Sequence, residues 1–211
     1  MQQDEGKQGS LRFIGITGGI GAGKSELLTY IRKHYYCEIY LADEVAHLVK
    51  RKGSDCYERL VELLGEEILG PDGEIDKAVM AQVIFGRNDI LQKVNAIIHP
   101  AVQEYLLEKL RGARENPEVE LFFVEAALLI EAGYKGLVDE LWYIYAREDV
   151  RRKRLAANRG YSEEKISNIM DSQLSEDDFR KNCDFVIDNS GELADSFRQI
   201  DRKLEAFSWR D

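Results

Sequence analysis

The sequence predicts an α/β fold, a three-layer sandwich around a mainly parallel five-stranded sheet, with a helical insertion. Three observations carry that prediction. Five short apolar runs alternate with helical patterns, and a strand–helix–strand alternation buries its apolar faces as a parallel sheet covered on both sides. Four glycines fall within six residues, Gly18 to Gly23, between the first apolar run and the first helical pattern. The stretch between the second and third runs is too long for a simple crossover and reads as a subdomain that binds a substrate.

In chain order, RFIGIT (Arg12–Thr17) reads as a buried strand that stops at Gly18. Lys24–His34 places Leu27, Leu28 and Ile31 on one helical face. EIYLA (Glu38–Ala42) is a second strand, followed by Asp43, a residue suited to cap the helix EVAHLVK. Residues 54–112 are mostly helical, with a turn at PDGE. ELFFV (Glu120–Val124) and ELWYIYA (Glu140–Ala146) are the third and fourth strands, and Trp142, Tyr143 and Tyr145 read as core. Helices are expected over Glu148–Arg159 and Glu163–Ser172, a short strand over Phe185–Ile187 and a final helix over Glu192–Phe207.

A length of 211 residues allows one domain with an insertion and an adequate core. The formal charge of −10 argues against a broad nucleic-acid or anionic-membrane surface. It leaves room for a small basic pocket. Cys37, Cys56 and Cys183 are far apart and show no zinc spacing, so they read as reduced thiols of a cytoplasmic protein. MQQDEGKQGS at the start lacks an apolar core and reads as a frayed tail rather than a signal peptide. No run approaches membrane-spanning length.

The glycines have a specific use. Gly18-Gly19-Ile20-Gly21-Ala22-Gly23-Lys24-Ser25 satisfies G-x-x-x-x-G-K-[ST] between a strand and a helix, the context of a P-loop. Without side chains the backbone can curl so that successive N–H groups face phosphate oxygens. The helix that follows adds its positive dipole end. Gly19, Gly21, Ala22, Gly23, Lys24, Ser25 and Glu26 are therefore the expected nucleotide contacts. Lys24 reaches the β- and γ-phosphates, and the Ser25 hydroxyl suits Mg²⁺. Asp43 follows the second strand, at a carboxyl end where ligands gather in α/β sheets. From position alone it is a proton acceptor in phosphoryl transfer or a helix cap.

At this point the chain resembles the dephospho-CoA kinase family, from about Phe13 to Gly191. The similar blocks are GITGGIGAGKS, LADEVAHLV, PDGEID, VIFGRNDILQKVNAIIHPAVQ, ALLIEAGY and SQLSEDDFRKNCDFVIDNSG, and their joint order is specific. The resemblance implies ATP-dependent phosphorylation of the ribose 3′-hydroxyl of dephospho-CoA, the last step of coenzyme A biosynthesis, with ATP and Mg²⁺. It implies a nucleotide core over 11–43, 119–146 and 182–211, a helical acceptor-binding part over 44–118 and a small helical lid over 147–181. Asp43 falls on the presumed base, and Thr17, Asp43, His99 and Glu131 are the expected acceptor-side residues, with His99 read either as an acceptor contact or as a hydrogen-bonded histidine at a helix kink and Glu131 either as positioning the acceptor or Mg²⁺-bound water or as a structural cap. A monomer is the favoured state.

Departures from the family pattern lie at Glu26, Leu41 and Ala127, and above all in the lid. Asn158 and Asn168 stand where the family carries arginine. Arginine bridges phosphate oxygens and asparagine cannot replace its charge, so Arg154 or Arg159 is expected to take over. Arg147, Arg151, Arg152 and Lys153 read mostly as a solvated face. Glu125 lies near the end of the third strand, where some P-loop proteins hold an acid linked to the metal. Two other functions stay open: a related P-loop kinase with another small-molecule or nucleotide acceptor, and a nucleotide-binding regulator without turnover.

Overall fold

In the computed structural model, which describes residues 11–208, β1 (Arg12–Thr17) leads through the glycine loop into α1 (Lys24–His34). Then come β2 (Cys37–Leu41), α2 (Ala42–Leu48), α3 (Asp55–Leu64), α4 (Lys77–Ile84) and α5 (Asn88–Arg114). The remainder is β3 (Leu121–Glu125), β4 (Glu140–Tyr145), α6 (Glu148–Arg159), α7 (Glu163–Asp171), α8 (Glu176–Asn182), β5 (Phe185–Asp188) and α9 (Leu193–Ser208). The tail expected over the first ten residues lies outside the described residues.

The strand order is β2-β3-β1-β4-β5. β1 pairs in parallel with β3 and β4, and β4 pairs in parallel with β5. A central strand of such a sheet is covered on both faces, so it must be apolar throughout. Phe13, Ile14 and Ile16 of β1, Phe122 and Phe123 of β3, and Leu141 and Trp142 of β4 are accordingly buried.

The chain forms two compact units, one from the described residues of Met1–Ile39 and Ala113–Asp211, the other from Tyr40–Gly112. In the first, α1 buries Leu27, Leu28 and Ile31. Its polar side is tied to α9: Tyr30 and Tyr35 both donate to Asp201, at 2.8 and 2.6 Å, and Tyr30 stacks on Phe197. Burial and the Asp201 carboxylate raise the Tyr30 pKa to about 12. In the second unit, Cys56, Leu60, Leu64, Ile68, Met80 and Val94 form a separate core. Ser54 caps α3 by accepting from the Tyr57 N–H at 3.0 Å, and Asp76 caps α4 through the Ala78 and Val79 N–H groups.

Two local expectations are corrected. Ala42 opens α2 rather than closing β2, so Asp43 lies inside the first turn, and Leu41 occupies the cap position without a side-chain bond. Asp43 is therefore not a helix cap. α8 was not foreseen. Its signal is Ser175 three residues before Asp178: the Ser175 hydroxyl accepts from the Asp178 N–H at 3.2 Å and donates to its carboxylate at 2.6 Å. This short helix places Phe179 flat against Tyr143 of β4, with ring centroids 4.6 Å apart.

Candidate active site

β1 stops because Gly18 and its neighbours turn the chain sharply into α1. Gly23, at the α1 cap position, has φ 89°, a left-handed conformation that a side chain would strain. No side chain caps α1. The opening turn of a helix carries N–H groups that the helix itself cannot satisfy, together with the positive end of its dipole. Lys24 folds back over the loop: its Nζ donates to the Gly18 carbonyl at 2.8 Å and lies 3.5 Å from Glu125 Oε1 at the end of β3. A charged amine thus sits at the leading end of the loop, next to a carboxylate.

The other end of the loop is held from behind. The buried Asn189, just after β5, donates through Nδ2 to the Ala22 carbonyl at 2.7 Å. Its Oδ1 accepts from the Ser196 hydroxyl at 2.9 Å. Arg154 of α6 reaches the same Ala22 carbonyl at 3.3 Å and the Asn189 carbonyl at 2.9 Å. With the Ala22 carbonyl held there, that peptide unit cannot rotate freely, which fixes the direction of the N–H that follows it.

Arg151, one helical turn before Arg154, holds the leading half. Its Nε donates to the Ile20 carbonyl at 2.9 Å and its Nη2 to Gln173 Oε1 at 2.7 Å. The same Gln173 oxygen accepts from the Ile20 N–H at 3.1 Å. A Cβ on Gly19 would collide with the Arg151 guanidinium, so glycine there is what permits the approach. Gly21 lies beneath the Arg151 backbone and Leu155. Burial lowers the Arg151 pKa from its ordinary value. Arg151 is thus no member of a solvated face. The overlooked signal is its i, i+3 spacing from Arg154, which puts both on one side of α6.

The remaining expected residues are placed as follows. Ser25 and Glu26 are exposed in the first turn of α1. Thr17 is fully buried and donates to the Ala127 carbonyl at 3.2 Å. Glu131 is exposed in the turn after β3, and Arg159 is exposed in the last turn of α6. In the unit Tyr40–Gly112, Asp43 is exposed on α2 and His99 is exposed on α5 beside Pro100, which lies inside that helix. Asp43 acts electrostatically on the half-buried Lys50, whose pKa is lowered by burial first and by Lys77 as well. The structure therefore gathers Gly19, Gly21, Ala22, Gly23, Lys24 and Arg154 around one loop. It adds Glu125, Arg151, Gln173 and Asn189. Gln173 and Asn189 both lie in the block SQLSEDDFRKNCDFVIDNSG, but nothing in the sequence says that they touch the loop.

The family model for dephospho-CoA kinase matches residues 12–195. The chain belongs to the dephospho-CoA kinase family. A dephospho-CoA kinase of Carboxydothermus hydrogenoformans is 32% identical over 201 residues, 95% of this chain and 97% of the relative. One from Streptococcus pyogenes serotype M1 is 34% identical over 192 residues, 91% of this chain and 96% of the relative. A solved protein from Thermus thermophilus superposes with a TM-score of 0.77 at 28% identity, covering 93% of this chain and 97% of its own. Dephospho-CoA kinase activity, with ATP as phosphoryl donor, follows from this membership and from the P-loop kinase fold. Among the described residues no helix is long and apolar enough to cross a membrane, and no group of three or more His, Cys, Asp or Glu side chains could hold a metal.

Proposed function

We propose that the chain transfers the γ-phosphoryl of ATP to the ribose 3′-hydroxyl of dephospho-CoA with Lys24 and Asp43 in the leading roles. The observation that carries the reading is Lys24, turned back over a glycine loop that side chains hold at both ends. Phosphoryl transfer is mostly positioning and charge stabilisation, and a loop already held in shape supplies both without reorganisation. The bond between the γ-phosphorus and the bridging oxygen to ADP breaks, and a new bond forms to the acceptor hydroxyl oxygen. The hydroxyl proton passes to the Asp43 carboxylate and then to water. ADP and the 3′-phosphate are the products.

Asp43 suits that task by its place after β2 and by its exposure, which leaves the carboxylate within reach of a ligand. His99 and Glu131, both exposed, are read as contacts to the acceptor, with His99 on the helical part. The segment 147–181 is read as a lid that keeps water from competing with the alcohol. Thr17 is reassigned within this reading: its buried hydroxyl shapes the turn after β3 through Ala127 and so acts on the acceptor side indirectly.

The residues present also fit Mg²⁺. The exposed Ser25 hydroxyl and the Glu125 carboxylate are hard oxygen donors, and Mg²⁺ takes few protein ligands and completes its shell with phosphate and water. Ser25 would hold the ion directly and Glu125 through water. When bound, the ion neutralises charge on the β- and γ-phosphates. The test of the whole reading is ADP release measured across a panel of alcohol acceptors that includes dephospho-CoA. Preference for dephospho-CoA is expected. Turnover with a different acceptor only, or tight ATP binding with no turnover at all, overturns it.

A further inference from the structure

The lid pattern of this chain raises a question of charge. Asn158 and Asn168 carry none, and Arg159 is exposed at the far end of α6. Arg154 is committed to two backbone carbonyls behind the loop, at Ala22 and Asn189. Arg151 differs from both. Its guanidinium lies over Gly19, in the leading half of the loop, and that half is marked as the γ-phosphate end by Lys24: the Lys24 amine, the group that reaches the β- and γ-phosphates in this motif, bonds the carbonyl of Gly18.

We propose that Arg151 is a catalytic residue of the phosphoryl transfer, contacting the γ-phosphoryl oxygens from the lid side, and that Gln173 is its positioning residue. The inference rests on the kinase reading above. A guanidinium has five N–H donors in a planar fork. Two of them are used here, one on the Ile20 carbonyl and one on Gln173. Those two bonds fix the plane of the fork, and the other donors remain for phosphate oxygens. As the bond to the bridging oxygen breaks, charge spreads over the bridging and peripheral oxygens, and an arginine fork matches that arrangement where an amine is a single point.

Gln173 gives the arrangement its second function. Its one side-chain oxygen accepts from both the Ile20 N–H and Arg151 Nη2. The segment after α7 therefore holds the loop and the arginine by the same atom. A nucleotide that orders the loop orders the arginine with it. Gly19 completes the device, because any side chain there would push the guanidinium off the loop.

The experiment uses the full chain with Arg151→Ala, Arg151→Lys and Gln173→Ala. ADP release is measured at saturating ATP and dephospho-CoA, and ATP and ADP binding are measured by calorimetry. Arg151→Ala is expected to lower kcat at least about a hundredfold. It should weaken ATP binding about tenfold while leaving ADP binding within about threefold, since the lost contact is to the γ-phosphate. Arg151→Lys, which keeps the charge and loses the fork, should remain at least about tenfold slow. Gln173→Ala should lower kcat about tenfold with ADP binding unchanged.

Wild-type kcat in Arg151→Ala overturns the proposal. So does an equal loss of ATP and ADP affinity, which is what a merely structural clasp on the loop would give. If Arg151→Ala does not fold, Arg151→Lys and Gln173→Ala decide, and wild-type kcat in both overturns it. If the unmutated chain phosphorylates no acceptor, the kinase reading fails separately, and the ATP-against-ADP difference still decides whether Arg151 meets the γ-phosphate.

Discussion

Around the glycine loop, the polar side chains nearest the chemistry are already engaged. Lys24, Arg151, Arg154, Gln173 and Asn189 all bond the loop backbone directly. In the helical unit Tyr40–Gly112, Asp43 and His99 stand exposed on their helices, and the structural effort goes into an apolar core some residues away. In the proposed reaction the difference follows from what each region meets. A triphosphate is densely charged, and its transition state is stabilised by dipoles and cations that need not move when charge shifts. An alcohol is neutral, and the group that takes its proton must be reachable and ionised rather than clamped.

The sharpest way to break that contrast is Lys24→Ala. Removing one preorganised charge that faces the transferring group costs about 3–4 kcal/mol, so kcat should fall about 10²- to 10³-fold in the ADP-release assay. The melting temperature should stay within a few degrees, because the Lys24 side chain is not part of the apolar core. A near-normal rate would mean that the loop, for all its order, is not the catalytic centre.

Asp43→Asn probes the other region. Turnover should fall about 10²- to 10⁴-fold, the range of a general base. ATP affinity by calorimetry should stay within about threefold. Parallel loss of rate and nucleotide affinity would place Asp43 in the phosphate machinery and erase the distinction between the two regions.

Asn189→Ala tests whether the loop is held from behind. Asn189 is fully buried and bridges the Ala22 carbonyl and the Ser196 hydroxyl. Loss of both bonds should lower stability by about 1–3 kcal/mol in urea unfolding. KM for ATP should rise several-fold while kcat with saturating ATP changes little. A fall in kcat alone would say that the loop keeps its shape without this clasp.

The smallest effect concerns pH. Burial pushes the Cys37 thiol up to about 11 in the first unit, and it also raises Cys56 in the second, where the Lys50 and Arg59 charges oppose it. The folded chain then keeps protons that the unfolded chain gives up near the ordinary thiol value of 9.0. Stability from Cys37 is complete below that value and declines as pH rises toward 11. The urea midpoint should drift downward over that window, and Cys37→Ala should reduce the drift to what Cys56 and Cys183, whose thiols burial also raises, contribute. An unchanged drift would locate the titration in those two thiols or in the tyrosines instead.

The sequence by itself determined the strand–loop–helix of the P-loop. The glycine spacing, Lys24 and Ser25 lie within eight residues, and short-range backbone demands leave a local mark that can be read without a partner. It determined β1 and α1 to the residue, because a central strand must be apolar throughout and α1 shows a single apolar face. The order of its motifs also carried the family. Asp43 escaped, since whether a residue caps a helix or sits inside its first turn depends on where the strand before it stops, a matter of one residue. Only the tertiary structure decided which side chains hold the loop. Gln173 and Asn189 bond it from 153 and 167 residues away in the chain. Arg151 and Arg152 are neighbours in one basic helix, yet the first lies on Ile20 and Gln173 and the second pairs with Glu148 and Glu163. Helical rotation by about 100° per residue sends adjacent arginines to different surroundings, and those surroundings come into being only when the sheet brings β4 beside β1 and β5 beside β4.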